Sequence, residues 1–198
     1  MTRWPTLAIA ILVFVAGGCV RTIQPILKDD QAVLDNSIVG KWVNEKGKQV
    51  CDVQPAHNDN VYTLLYTGKD GKAATFLLRI GKVGDLMIAE IRPAGAPGPS
   101  DARRLYLLPL YTFSVIQQTS PKAVLQVMDA DWLKKYLDEH PGELQTANLG
   151  HGDFVVTSST EEFQAFLLRH CKDKGIFGEP AALVRPGDPT TRHAATAP

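Results

Sequence analysis

Val61-Tyr62-Thr63-Leu64-Leu65-Tyr66, followed across Gly68-Lys69-Asp70-Gly71 by Lys72 to Ile80, decides the fold class. β-branched and aromatic residues dominate both arms, and Asp70-Gly71 tolerates the positive φ that a tight reversal needs, so the stretch reads as an antiparallel hairpin. On either side of it, from about Ile38 to Met128, runs of similar character alternate with turn chemistry and little repeats at helical period. A second reversal at Gly81 to Gly84 leads into Leu86 to Ile91. Arg92 to Ser100 contains three prolines, which cannot donate to a ladder, and reads as a surface loop. Arg104 to Gln117 is interrupted by Pro109, which fits an edge or a bulge, so it makes two strand halves or one bent strand. Ala123 to Met128 supplies a further strand. Tyr106, Tyr111 and Phe113 either line a cavity, if the sheet closes, or are plain core.

The pattern changes at Asp129-Ala130-Asp131, whose carboxylates can cap a helix over about 130–140. Trp132, Leu133, Tyr136 and Leu137 form its apolar face, and Pro141-Gly142 ends it. After a short strand at Phe154 to Thr157, Ser159-Thr160-Glu161-Glu162 is a capping box opening a second helix over about 159–171. Phe163, Phe166, Leu167 and His170 share one face of that helix. Beyond Ala182, Arg185 to His193 has no apolar period and reads as a mobile tail. The expected fold is mainly β with two helices (α+β), built on an antiparallel barrel-like or strongly curved sheet. The expected organisation is an export signal over 1–18, an anchor and tether over 19–36, one β-rich domain over 37–180 and a flexible tail over 181–198.

With 198 residues the chain has room for one core, and 44% hydrophobic residues suffice to build it. Lys plus Arg and Asp plus Glu each total 21, with no long basic run, so nucleic acid is not an expected partner. The start Met1-Thr2-Arg3, ten uninterrupted apolar residues from Leu7 to Ala16, and Gly17-Gly18 have the order of a signal peptide. The apolar stretch is shorter than the roughly 20 residues of a spanning helix.

Ala16-Gly17-Gly18-Cys19 resembles the lipobox of bacterial lipoproteins. The resemblance implies that Cys19 receives a diacylglycerol and becomes the mature N-terminus, so that a membrane is a partner through the lipid. Val20 in place of the Asp that retains enteric lipoproteins at the inner membrane implies the periplasmic face of the outer membrane. The alternatives are a secreted protein cut near the glycines with Cys19 incidental, or an uncleaved anchor.

In an oxidising compartment Cys51 and Cys171 then remain as an even pair, and a disulfide between them is the expectation, with two buried free cysteines as the alternative. Closing so long a loop would contribute about 4 to 5 kcal/mol in the chain-entropy model. His57 beyond Cys51 and His170 beside Cys171 lack the paired spacing of a metal site, so no metal or other cofactor is expected.

Gly40-Lys41-Trp42 carries the Gly-x-Trp pattern of the first strand of lipocalins, and strands in series followed by a C-terminal helix are similar to that family's order. The resemblance implies a barrel with Trp42 packed across its base, as core rather than ligand contact; a Trp in any sandwich or open sheet is the alternative. No nucleophile elbow, phosphate loop, metal-protease helix or calcium loop occurs, so no catalytic residue and no enzymatic activity are expected. His151, between Gly150 and Gly152 and followed by Asp153, reads as a solvated turn before it reads as a site. The expected function is that of an envelope lipoprotein binding a small apolar ligand. The alternative is a structural or protein-docking envelope lipoprotein with a filled core.

Overall fold

The computed structural model describes residues 18–56, 60–95 and 110–187. In chain order its strands are β1 (Arg21–Thr22), β2 (Ala32–Val33), β3 (Gly40–Asn44), β4 (Val50–Pro55), β5 (Tyr62–Thr67), β6 (Ala73–Val83), β7 (Leu86–Pro93), β8 (Tyr111–Gln118), β9 (Ala123–Val127), β10 (Thr146–Gly150), β11 (Asp153–Val156) and β12 (Ala181–Val184). Helix α1 (Ala130–Glu139) precedes β10, and helix α2 (Thr160–His170) precedes β12. Strands β3 to β9 pair in antiparallel succession, and β12 joins β9 to β3, so eight strands close into a barrel. Closure leaves no free sheet edge around the barrel. The expected class, mainly β with two helices on a barrel-like sheet, is the one observed.

The hairpin of β5 and β6 forms as its residues dictate, with Thr67 opposite Ala73, Leu64 opposite Phe76 and Gly71 at φ +75°. Along β5, Tyr62 and Leu64 are buried inside the barrel while Leu65 faces out, the period-2 alternation of a sheet with one inner face. The second reversal is tighter than the glycines suggest. Strand β6 continues through Gly81 to Val83, and only Gly84-Asp85 turns.

Strands β6, β7 and β8 are buried on both faces. Ile80, Ala89 and Ile116 belong to the cluster inside the barrel, whereas Val83, Ile88, Phe113 and Val115 belong to a second cluster outside it. Over that outer face lie the chain segment 18–27, both helices and a small sheet in which β1 bridges β8 to β11 and β11 pairs with β10. Asp129 caps α1 by accepting from Trp132 N at 2.8 Å. Ser159 and Glu162 form the expected capping box of α2, which buries Phe163, Phe166 and Leu167.

Two expected boundaries are corrected. Residues 19–36 are not a tether: Val20, Ile26 and Leu27 are core residues, and Cys19 forms a β-bridge with Asp129. The buried Glu90 carboxylate accepts from the amides of Ile26 and Leu27, and Arg79 Nε donates to the same carboxylate at 2.8 Å, so this segment is fastened to the barrel wall by charge-assisted hydrogen bonds. The approach is close enough that a Cβ on Gly81 would lie 2.5 Å from Gln31 O. Nor does a tail begin at 181, because Ala181–Val184 is the strand that closes the barrel. Residues 188–198 of the expected tail, and 1–17 of the expected signal, lie outside the described residues. So do residues 96–100 of the proline-rich loop and 104–109 of the interrupted strand, while Pro93 still pairs with Phe76 in β7.

Candidate functional site: the barrel interior

At the end of the barrel where β3 begins, the chain turns in on itself. Trp42, buried on β3, donates its indole N–H to Ile38 O at 2.7 Å. Arg185, the residue after the closing strand, lays its guanidinium 3.7 Å over the Trp42 ring and donates to Val39 O at 2.8 Å and to Ser37 O. A cation over an indole face, together with bonds to two carbonyls, joins the first barrel strand to the last. Gly40 permits this approach, since it stands at φ +108° and a Cβ there would lie 2.9 Å from Arg185 Nη1. Tyr62 reaches the same end from inside, its hydroxyl accepting from Asp35 N at 2.6 Å.

Above this floor the interior holds a cavity of about 120 Å³. Trp42, Leu64, Phe76, Leu78, Ile80, Ile91, Ile116, Leu125 and Leu183 line it, and none of the described residues that line it carries a charge. The space arises where large side chains give way to small ones: Ala89 and Ser114 are register partners on β7 and β8, and Ala123 follows on β9. Ser114 is 1% exposed, and its Oγ is the one buried side-chain oxygen with no hydrogen-bond partner among the described residues. A buried hydroxyl left without a partner costs about 1 to 3 kcal/mol, so an apolar wall gains nothing from serine here. The hydroxyl of Tyr66, also lining the cavity, accepts from Gln49 Nε2 at 2.6 Å.

Of the two readings of the β8 aromatics, lining or core, the described ones are core. Phe113 points outward and meets Phe163 edge-on at 5.6 Å, Tyr111 packs against the same outer cluster, and Tyr106 lies outside the described residues. The inward phase of β8 is instead Thr112, Ser114 and Ile116. Sequence alternation offers both phases, and it is pairing with β7 and β9 that selects one.

The expected disulfide is corrected as well. Cys51 and Cys171 are free thiols. Cys51 lies on β4 between its register partners Trp42 and Tyr66 and lines the cavity, whereas Cys171 caps the C-terminal end of α2 and donates to Leu168 O at 3.5 Å. One thiol is inside the barrel and the other on a helix packed outside, so their Cβ atoms cannot meet as a disulfide requires. Burial pushes the Cys51 thiol up to about 11. Burial also raises the pKa of Cys19, opposed by the charge of Arg21.

His151 occupies the exposed turn between β10 and β11 at φ +53°, and Asp153 beside it pairs with Arg21 at 3.2 Å. His170 bonds Asp173 through Nδ1 at 2.6 Å and faces the Tyr136 hydroxyl through Nε2 at 3.3 Å, its ring packed against Tyr136 of α1 and Phe166 of α2. His57 lies outside the described residues, and no group of three or more His, Cys, Asp or Glu able to hold a metal occurs among the described ones. No described helix is long and apolar enough to cross a membrane. The chain matches no protein-family model, no curated protein and no solved structure.

Proposed function

We propose that this chain is a lipid-anchored module of the bacterial cell envelope, held by acyl chains on Cys19, whose lipocalin-like barrel binds a small apolar ligand without transforming it. The observation that carries the binding reading is the charge-free cavity of about 120 Å³ at the centre of a closed barrel. Engineered apolar cavities of about 150 Å³ accept a benzene ring, so the space suits a ligand portion of that order. A docking module with a filled core has no use for such a void. The anchor rests on the sequence Ala16-Gly17-Gly18-Cys19 alone, and Val20 after the cysteine favours the periplasmic face of the outer membrane.

Titration of the purified protein with toluene, followed through Trp42 emission in a Trp132→Phe background, tests the cavity. Saturable binding that is lost in Ala89→Phe, where the added ring fills the space, is the expected result. An unresponsive wild type would move the reading to a docking protein. Mass spectrometry of the membrane fraction tests the anchor: acyl mass on Cys19 is expected, with unlipidated precursor in Cys19→Ser. An unmodified mature terminus elsewhere would refute it.

A further inference from the structure

The cavity wall is uniformly apolar except at a few hydroxyls and one thiol, and Ser114 Oγ alone among its buried side-chain oxygens lacks a partner among the described residues. Ala89, its register partner on the neighbouring strand, lines the void with it. Among the described residues, no Lys, Arg or His lines the cavity to meet a carboxylate or phosphate, and no Asp or Glu to meet an amine. An ionised group brought there would be buried unpaired, which is far costlier than burying a neutral polar group that gains one hydrogen bond.

We infer that the barrel selects a neutral amphiphile: an apolar ring or short chain that fills the space beside Ala89, carrying one uncharged hydroxyl or carbonyl that hydrogen-bonds Ser114 Oγ. This rests on the ligand-binding reading above and adds to it the chemical class. Fatty-acid-like ligands with the carboxylate inside are thereby excluded, although the apolar wall alone would admit their tails. The hydroxyl can donate to a carbonyl or accept from an alcohol, so both head groups belong to one class.

Three probes of similar size separate the terms: toluene, benzyl alcohol and benzoate, titrated against wild type and Ser114→Ala at neutral pH. Benzyl alcohol should bind Ser114→Ala about three- to tenfold more weakly than wild type, the loss of one neutral hydrogen bond. Toluene should bind both proteins alike, and benzoate should bind neither. Equal responses of toluene and benzyl alcohol to the substitution, or benzoate binding as well as benzyl alcohol, would overturn the head-group assignment while leaving the cavity reading intact. Failure of toluene itself would remove the cavity reading and the inference with it.

Discussion

The two hydrophobic clusters share β6, β7 and β8 as a common wall and are filled in opposite ways. Outside, Phe113, Phe163, Phe166, Leu133 and Ile176 pack together, and the polar groups drawn in with them are satisfied: Glu90 by Arg79 and two amides, Gln164 by Ile26 O at 2.6 Å. Inside, mostly apolar side chains surround a void, and Ser114 is left unpartnered. The alternation that sends every second residue of β8 each way thus serves rigidity on one face and room on the other. Interiors are ordinarily packed as densely as organic crystals, so the contrast within one wall separates what stabilises the domain from what the domain can hold.

Truncation should break the two faces unequally. Phe166→Ala, in the filled cluster, is expected to cost about 3 to 5 kcal/mol, while Leu78→Ala, beside the existing void, should cost about 2 to 3 kcal/mol because part of its surface already lacks contacts. Urea titration of both variants measures the difference, and equal costs would dissolve the contrast. Glu90→Ala comes next at about 3 kcal/mol, since it leaves two buried amides without their acceptor and takes one of two carboxylate partners from Arg79, which keeps Asp29. Hydrogen exchange should then show residues 20–33 losing protection before the inner strands, and uniform loss would mean that the outer layer is not separable.

Arg185→Ala is expected to cost about 1 to 2 kcal/mol, the sum of a cation over an indole and bonds to exposed carbonyls. It should also shift Trp42 emission, and an unchanged spectrum would show that the guanidinium does not cover the ring in solution. The smallest effect concerns Cys51. Folded, its thiol keeps the proton up to about 11 because of burial, against an ordinary value of 9.0. The contribution to stability is therefore complete below the ordinary value and declines as pH rises toward the folded one, because the unfolded chain releases the proton first. Cys51→Ala should remove that alkaline slope, and iodoacetamide should modify native Cys51 more slowly than Cys171. Equal rates would place Cys51 outside the shielded interior.

Local signals in the sequence were strong where one short segment carries the whole instruction. Asp70-Gly71 between two β-rich arms specifies a hairpin, and Ser159 with Glu162 specifies a helix start, because the interacting groups lie within a few residues. Elements defined by distant pairing were not legible. Ala181–Val184 is four residues between Pro180 and Arg185-Pro186, and nothing local distinguishes it from a tail; only Val43 and Leu125, far away in the chain, make it a strand. The same holds for β10, and for Ile26 and Leu27, whose burial depends on Glu90. At the site, sequence indicated that a closed sheet would place β8 residues inside but not which alternate set. It therefore left Tyr111 and Phe113 open between lining and core and passed over Ser114, whose lack of a partner is a three-dimensional fact.

The late position of the closing strand bears on how the molecule is made. Synthesis delivers β3 to β9 as a consecutive meander, each strand able to pair with the one before it, yet the sheet cannot seal until residues 181–184 arrive, after both helices. Until then the outward ladders of β3 and β9 remain open to any other extended chain, and the step that covers them joins residues near opposite ends of the described sequence, a slow kind of encounter for a polypeptide. A chaperone that shields those two ladders in the nascent chain would therefore raise the yield of folded protein more than one that assists the helices.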